Sequence, residues 1–207
     1  AGGLSNAATG NASFVGGGGL YNTSVGNVAS GLGAAIVGGH SNSAEGTYCN
    51  IGGGLNNVAA SNYATIAGGT GGVVNGTFGT ISGGNAHSVD GFAATIGGGD
   101  GNVAQGKGSF IGGGYGHTVT AAMASILGGK DNTAHGYRTV IGGGWNNQAT
   151  SLYSVINGGF RITNGALAGI VGGGAYHHLS GNYGVIGGGE HHQITGIYGV
   201  VAGGNNN

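Results

Sequence analysis

Proline, cysteine and charged residues are scarce or missing in this sequence. It has no proline and one cysteine, and charged residues make up 4% of its 207 residues. Collagen is excluded, because that helix requires glycine at every third position and is rich in proline. Cys49 alone cannot form a disulfide framework within the chain. Four Lys and Arg residues are too few to neutralise a phosphate backbone, so we predict no nucleic acid partner.

Long apolar runs are also missing. Glycine pairs interrupt every apolar stretch before it reaches the ~18 residues of a membrane helix, so we predict no membrane insertion in this segment. The first residues do not have the pattern of a secretory signal. Glycine is instead the most prominent residue, with 57 copies in regular positions.

Those positions belong to a repeat typified by Ile186 to Val200, IGGGEHHQITGIYGV. We number its positions from slot 1, Ile186, to slot 15, Val200. Slot 1 is Ile or Val, slots 3 and 4 are Gly-Gly in every copy, and slot 7 is mostly Asn or His. A fixed repeat predicts one array over residues 1–207, of about 13 coils, with an insertion at 19–24. Both ends fall in mid-repeat, so we expect a piece of a longer chain.

The repeat predicts an all-β fold. Fifteen residues are too few for a helix pair, and each interior glycine would cost a helix ~1 kcal/mol relative to alanine. β-formers alternate over slots 12 to 1, as in Asn62 to Ile66, and over slots 7 to 10, with turns at slots 2–4 and 11. Each repeat is then one coil of a parallel β-roll or β-solenoid. Slots 14 and 1, and slots 7, 9 and 11, should point inward.

Slot 7 carries inward amides, which we interpret as structural. An asparagine at a tight turn can bond the buried turn backbone and its own copies in adjacent coils. Four histidines replace asparagine in this slot: His87, His117, His177 and His192. A metal site needs three or four converging ligands, and slots 7 and 8 face opposite sides, so we predict no metal within one chain. A metal on the symmetry axis of an oligomer stays open.

Catalytic signatures are missing as well, so we predict neither enzyme activity nor a cofactor. Glu45 and Asp90 share slot 10 but lie three coils apart, about 14 Å at the strand spacing, which is too far for a paired-carboxylate mechanism. Cys49 falls in an inward slot of small residues, which predicts an inert buried thiol.

Slots 5 and 6 vary most and hold most of the unusual side chains. Large residues on one edge of a solenoid predict a contact ridge, with the insertion residues Leu20 and Tyr21 on the same edge. A solvated turn that is free to vary is the alternative. The residues that we predict to contact a ligand or surface are Tyr115, Trp145, Phe160, Tyr176 and His191.

A second exposed surface lies at slots 13 and 15, where aromatic and aliphatic residues should point outward. A single solenoid in water should be polar there, and a long apolar strip predicts burial against copies of the same chain. The residues that we predict at this oligomer interface are Tyr63, Phe78, Tyr153, Tyr183 and Tyr198.

The segments NSAEGTYCNIGGG, from Asn42 to Gly54, and NVAASNYATIAGG, from Asn57 to Gly69, carry a family resemblance. They resemble the Hep/Hag-type head repeats of trimeric autotransporter adhesins, and are similar to repeats in phage tail fibres. The resemblance implies a left-handed roll, a parallel homotrimer, and an extracellular place on a cell surface or virion fibre. It also implies a non-catalytic structural and adhesive rod that contacts a host surface, matrix or glycan.

Grass antifreeze β-rolls offer a second resemblance, carried by Asn102 to Ala104 and His117 to Val119. It would imply an ice-binding monomer. Thr65, Thr80 and Thr95 align in slot 15 over three coils. Polar and charged residues break the regularity of the other outward slots, namely Glu45, Asp90, Gln105, His135 and His178. Ice binding, a phage fibre shaft and an inert spacer stay open as alternatives to the adhesive rod.

Overall fold

A computed structural model describes residues 2–19 and 25–207 of the chain. Contacts group the chain into two compact units, residues 1–103 and residues 104–207. Each unit is a parallel β-solenoid whose strands are two residues long, and the array contains about 12 coils. The predicted all-β solenoid of fifteen-residue coils is therefore confirmed. Leu20 and Tyr21, and the rest of the predicted insertion beyond Gly19, lie outside the described residues.

In the first unit, odd-numbered strands pair in one sheet and even-numbered strands in another, each with the strand one coil away. The odd strands are β1 (Ala7–Ala8), β3 (Val28–Ala29), β5 (Ser43–Ala44), β7 (Val58–Ala59), β9 (Val73–Val74) and β11 (Ser88–Val89). The even strands are β2 (Phe14–Val15), β4 (Ala35–Ile36), β6 (Asn50–Ile51), β8 (Thr65–Ile66), β10 (Thr80–Ile81) and β12 (Thr95–Ile96).

The second unit has the same arrangement, and β13 (Val103–Ala104) spans the division between the units. Its odd strands are β15 (Thr118–Val119), β17 (Thr133–Ala134), β19 (Gln148–Ala149), β21 (Thr163–Asn164), β23 (His178–Leu179) and β25 (Gln193–Ile194). Its even strands are β14 (Phe110–Ile111), β16 (Ser125–Ile126), β18 (Val140–Ile141), β20 (Val155–Ile156), β22 (Ile170–Val171), β24 (Val185–Ile186) and β26 (Val200–Val201).

The core lies between the two sheets and is lined by the inward slots. Ile126, Ile141 and Ile156 occupy slot 1 in adjacent coils, pair in register and are fully buried. Slot 9 contributes small aliphatic residues such as Ala134 and Ala149, which are also fully buried. The inward facing predicted for slots 1, 7, 9 and 14 is confirmed, and parallel in-register stacking is what buries these thin coils.

The strands are shorter than the alternation pattern predicts. The strand expected over Asn62 to Ile66 is limited to Thr65–Ile66, because Asn62 and Tyr63 form a turn. Tyr63 has a positive φ of 57°, in the left-handed region. The strand expected at slots 7 to 10 is likewise limited to slots 8 and 9, as in Gln193–Ile194. A closed coil of fifteen residues needs these extra turn residues to reverse its direction twice.

Slot 5 adds a third line of contact that the pattern did not predict. Its residues form isolated parallel bridges from coil to coil, as in Leu55 with Thr70 and in Lys130 with Trp145. The residue before it, in slot 4, is a glycine with positive φ, and the residue after it, in slot 6, is also left-handed. Slot 5 side chains are therefore held at a fixed spacing on the edge of the coil.

Candidate functional site

The slot 7 asparagines bond the turns, as predicted. Asn147 donates from Nδ2 to the carbonyl of Gly143 at 3.0 Å and to that of Gly159, in the next coil, at 2.9 Å. Its Oδ1 accepts from the backbone N–H of Ile162 at 3.0 Å. Asn57 makes the same three bonds in the first unit. Each amide thus ties its own turn to the next coil, and these groups are occupied in holding the fold together.

The histidines of slot 7 reproduce only part of this pattern. The Nδ1 atom of His177 accepts from the backbone N–H of His192 at 3.2 Å, so the neutral ring carries its proton on Nε2. That Nε2 is buried and has no hydrogen-bond partner, and the same holds for His87 and His192. The rings of His177 and His192 stack at 5.0 Å. Burial lowers the pKa of His87, His117 and His177 below the ordinary 6.5.

Acid should therefore destabilise the solenoid. A histidine whose pKa is lowered by folding takes up its proton more readily in the unfolded chain, so stability is complete above pH 6.5 and falls as the pH drops below that value. Protonation of Nδ1 would also remove the acceptor for the next coil. We expect the melting temperature to fall between pH 7 and pH 5, as measured by circular dichroism, and His177→Asn to reduce that fall.

His178→Asn is the matched control for this prediction, because His178 lies in the adjacent slot and is exposed. It should leave the pH dependence of melting unchanged. Equal effects of the two substitutions, or a melting temperature independent of pH over this range, would contradict the assignment of acid sensitivity to the buried ladder.

Metal-binding and nucleophilic groups are sparse in the described part of the chain. Among residues 2–19 and 25–207, no group of three or more His, Cys, Asp or Glu side chains is arranged to hold a metal ion. Cys49 is buried, and burial raises the pKa of its thiol, so the thiol stays protonated at neutral pH. Most of the large aromatic side chains are instead on the surface.

The predicted contact ridge is a continuous row of side chains in the second unit. Trp145 and Phe160 have ring centroids 5.0 Å apart, Phe160 meets Tyr176 edge to face at 5.1 Å, and Tyr176 stacks on His191 at 4.7 Å. The Nζ atom of Lys130 lies 5.4 Å from the ring of Tyr115 and 5.4 Å from that of Trp145. We call this row the contact ridge: Tyr115, Lys130, Trp145, Phe160, Tyr176 and His191. The five predicted contact residues therefore lie together.

The contact ridge is exposed apart from the half-buried Phe160, and the charges on the ridge and on its neighbours in slots 5 and 6 balance. Trp145 is 49% exposed and Tyr115 is 52% exposed. Arg161 lies with its guanidinium 5.3 Å from the ring of Phe160. Two cations, Lys130 and Arg161, are matched by two acids in the same slots, Asp131 and Glu190, and Glu190 lies 3.6 Å from His191.

The fold does not require aromatic residues on this edge. In the coils from Ile36 to Val103, slots 5 and 6 contain no Phe, Tyr or Trp, yet slot 5 makes the same backbone bridges. Leu55, Thr70 and Asn85 occupy positions there that correspond to Trp145 and Phe160. This internal comparison indicates that the aromatic run is a local addition to the repeat.

A second set of aromatic residues lies at the opposite edge of the coil, in slot 13. In the first unit Tyr63 stacks on Tyr48 at 5.8 Å and on Phe78 at 4.8 Å. In the second unit Tyr183 stacks on Tyr198 at 5.3 Å. We call this set the tyrosine edge: Tyr48, Tyr63, Phe78, Tyr153, Tyr183 and Tyr198. All five residues predicted at the oligomer interface belong to it and are exposed.

Comparison with known proteins does not assign the chain to a family. No protein-family model matches it, and no curated protein matches it either. Among the described residues, no helix has the length and apolar character needed to cross a membrane.

Proposed function

We propose that this chain is a non-catalytic structural and adhesive array, a segment of an extracellular fibre on a cell or virion surface. The observation that carries the proposal is the exposed contact ridge, which the fold does not need, since the described coils from Ile36 to Val103 have no aromatic residue at the same slots. Large aromatic residues and arginine are the residues that dominate binding at protein surfaces. Buried polar groups, in contrast, are used to hold coils together.

An attachment assay tests the adhesive role. Beads coated with the chain should adhere to the surface that the parent fibre binds, and Tyr115→Ala combined with Trp145→Ala should reduce that adhesion by about tenfold or more, the loss expected for a hot-spot pair. The matched control is Val37→Ala combined with Leu127→Ala, two exposed apolar residues of slot 2 that belong to neither the contact ridge nor the tyrosine edge. Full adhesion by the ridge variant, with unchanged circular dichroism, would favour the alternative that slots 5 and 6 form a solvated turn that is free to vary in sequence.

We also infer a parallel homotrimer of left-handed rolls, as the resemblance to adhesin head repeats implies, assembled through the tyrosine edge. Tyr63, Tyr153, Tyr183 and Tyr198 have φ between 57° and 59°. An L-residue in this region costs roughly 1–2 kcal/mol, and glycine would avoid the cost. Burial of the tyrosine rings against copies of the chain would stabilise the assembly and offset the cost of this backbone conformation. Parallel copies in register would bring identical stripes together.

Sedimentation equilibrium measures this assembly. We expect three times the chain mass at micromolar concentration, and dissociation when Tyr153→Asp and Tyr183→Asp place charges on the tyrosine edge. Tyr115→Asp, on the opposite edge, should leave the mass unchanged. A monomeric wild-type chain with freely accessible tyrosines would reject the trimer and favour the ice-binding alternative.

A further inference from the structure

We propose that the contact ridge binds a neutral, extended polysaccharide lying along the stacking direction of the coils, with its pyranose rings against the side chains from Tyr115 to Phe160. This inference deepens the proposed function, on which it rests, by naming the ligand class. It depends on the spacing of the ridge, its charge, its hydrogen-bonding groups and its stiffness.

The spacing favours a polymer. Successive ridge side chains come from successive coils, and within the proposed site the ring centroids of Trp145 and Phe160 are 5.0 Å apart. This is close to the strand spacing of ~4.8 Å, so the backbone fixes the interval. A β-1,4-linked chain of pyranose rings is extended, and its step per sugar is slightly longer than that interval, with alternate rings turned over. Such a chain can therefore place about one sugar on each of the four coils from Tyr115 to Phe160.

The ring orientations favour a ligand with a flat apolar face. The planes of Trp145 and Phe160 are tilted by 43°, and those of Phe160 and Tyr176 by 79°, so these rings do not cover one another completely. Tyr176 and His191, at 10°, cover one face of each other. The axial C–H groups of a pyranose ring form an apolar face that packs on an aromatic ring, and Trp145, which is 49% exposed, offers such a surface beside the half-buried Phe160.

The charge of the ridge favours a neutral ligand. Lys130 and Arg161 are balanced by Asp131 and Glu190 in the same two slots, so there is no excess of positive charge to attract a polyanion. The same side chains, with Asn146, supply donors and acceptors for hydroxyl groups. Asp131, Asn146 and Arg161 lie in slot 6, directly beside the ring positions of slot 5. Lys130 and Glu190 lie in slot 5 itself. A hydroxyl-rich chain would meet a polar group beside Trp145 and beside Phe160.

The ridge is also prepared for binding before a ligand arrives. Each ring contacts a ring or a cation of the adjacent coil, so little side-chain freedom remains to be lost when a ligand binds. A flexible chain of separate aromatic residues would lose more conformational entropy on binding. Binding should therefore strengthen with ligand length until the sugars cover the ridge.

Fluorescence of Trp145, the single tryptophan, provides a direct test. Titration with cellohexaose or chitohexaose should shift its emission to shorter wavelength and saturate, because a sugar ring would exclude water from the indole. The hexamers should bind about tenfold or more tightly than the corresponding dimers. Phe160→Ala should weaken hexamer binding by about tenfold or more, whereas Leu127→Ala, at an exposed apolar residue outside the contact ridge and the tyrosine edge, should not change it.

Two further measurements distinguish a neutral ligand from a polyanion. Binding of the neutral hexamers should be unchanged between low and high salt, because no counterions are released. Binding of a heparin hexasaccharide alone, lost at high salt, would overturn the proposal in favour of a polyanion. Failure of both neutral hexamers to change the fluorescence, or an equal loss in Leu127→Ala, would overturn it as well.

The attachment assay distinguishes failure of the ligand from failure of the function. One outcome is that adhesion depends on the ridge, but no neutral polysaccharide binds the chain or inhibits adhesion. That result would retain the adhesive role and reject the sugar ligand. Binding of the hexamers by a chain whose adhesion is independent of the ridge would reject the adhesive role and retain the sugar site.

Discussion

Replacing Ile141 by asparagine is expected to lower the free energy of unfolding by about 3 to 5 kcal/mol. Ile141 is fully buried and pairs in register with Ile126 and Ile156. The substitution would remove the methyl groups that fill the space between the two sheets. It would also bury an amide where the backbone carbonyls are already used between coils. Urea denaturation followed by circular dichroism measures the loss.

Two further variants isolate the cause. Ile141→Val keeps the site apolar and should cost about 1 kcal/mol. Thr133→Asn places the same amide on an outward slot of the adjacent coil, where water can hydrate it, and should change stability by roughly 0.5 kcal/mol or less. A stable Ile141→Asn variant, or an equal loss in Thr133→Asn, would contradict the inward facing of slot 1.

Gly144→Ala should be about as damaging, with an expected loss of roughly 3 to 5 kcal/mol from a left-handed alanine and an overpacked contact. Gly144 has a φ of 87°, and a Cβ atom there would overlap the carbonyl oxygen of Gly159. It would also lie 2.6 Å from Nδ2 of Asn147, the atom that bonds the two coils. The coils would have to separate, with loss of the bonds between them. Thermal melting measures the effect.

The adjacent glycine is the matched control. A Cβ atom on Gly143 would meet only the carbonyl oxygen of Gly128, at 3.8 Å, and its φ lies outside the left-handed region. Gly143→Ala should therefore melt within a few degrees of the wild type, since its cost is below about 1 kcal/mol. Two variants with the same melting temperature would show that the close approach of coils at slot 4 is not needed for stability.

The core and the slot 7 ladder could be predicted because they follow from periodicity. An Ile every fifteen residues, with small residues two positions before it, determines which face is inward, and Asn147 bonds the turns as an amide in that slot should. The turn at Tyr63 could not be predicted in this way. Alternation of side chains looks the same in a strand and in a turn with a left-handed residue, and tyrosine normally avoids that conformation.

The position of the candidate site could be predicted from the sequence, but the spacing and contacts of its side chains could not. Unusual residues in slots 5 and 6 indicated the ridge, but the sequence does not show that slot 5 is bridged from coil to coil. That bridging sets the spacing of Trp145 and Phe160, and it places Lys130 between two rings. The two glycines at 143 and 144 are likewise alike in sequence, and only backbone geometry distinguishes their roles.

The hydrogen bonds between coils have a mechanical consequence. They run along the stacking direction and join each coil only to its neighbours, as from Gly142 to Ile156 at 2.8 Å and from Trp145 to Gly159 at 2.9 Å. Tension along that direction loads the bonds of a terminal coil first, so coils would peel away singly. Each release would lengthen the chain by roughly 50 Å, at ~3.4 Å per residue. A solenoid of this kind would therefore extend in steps under load, with each step dissipating part of the applied work.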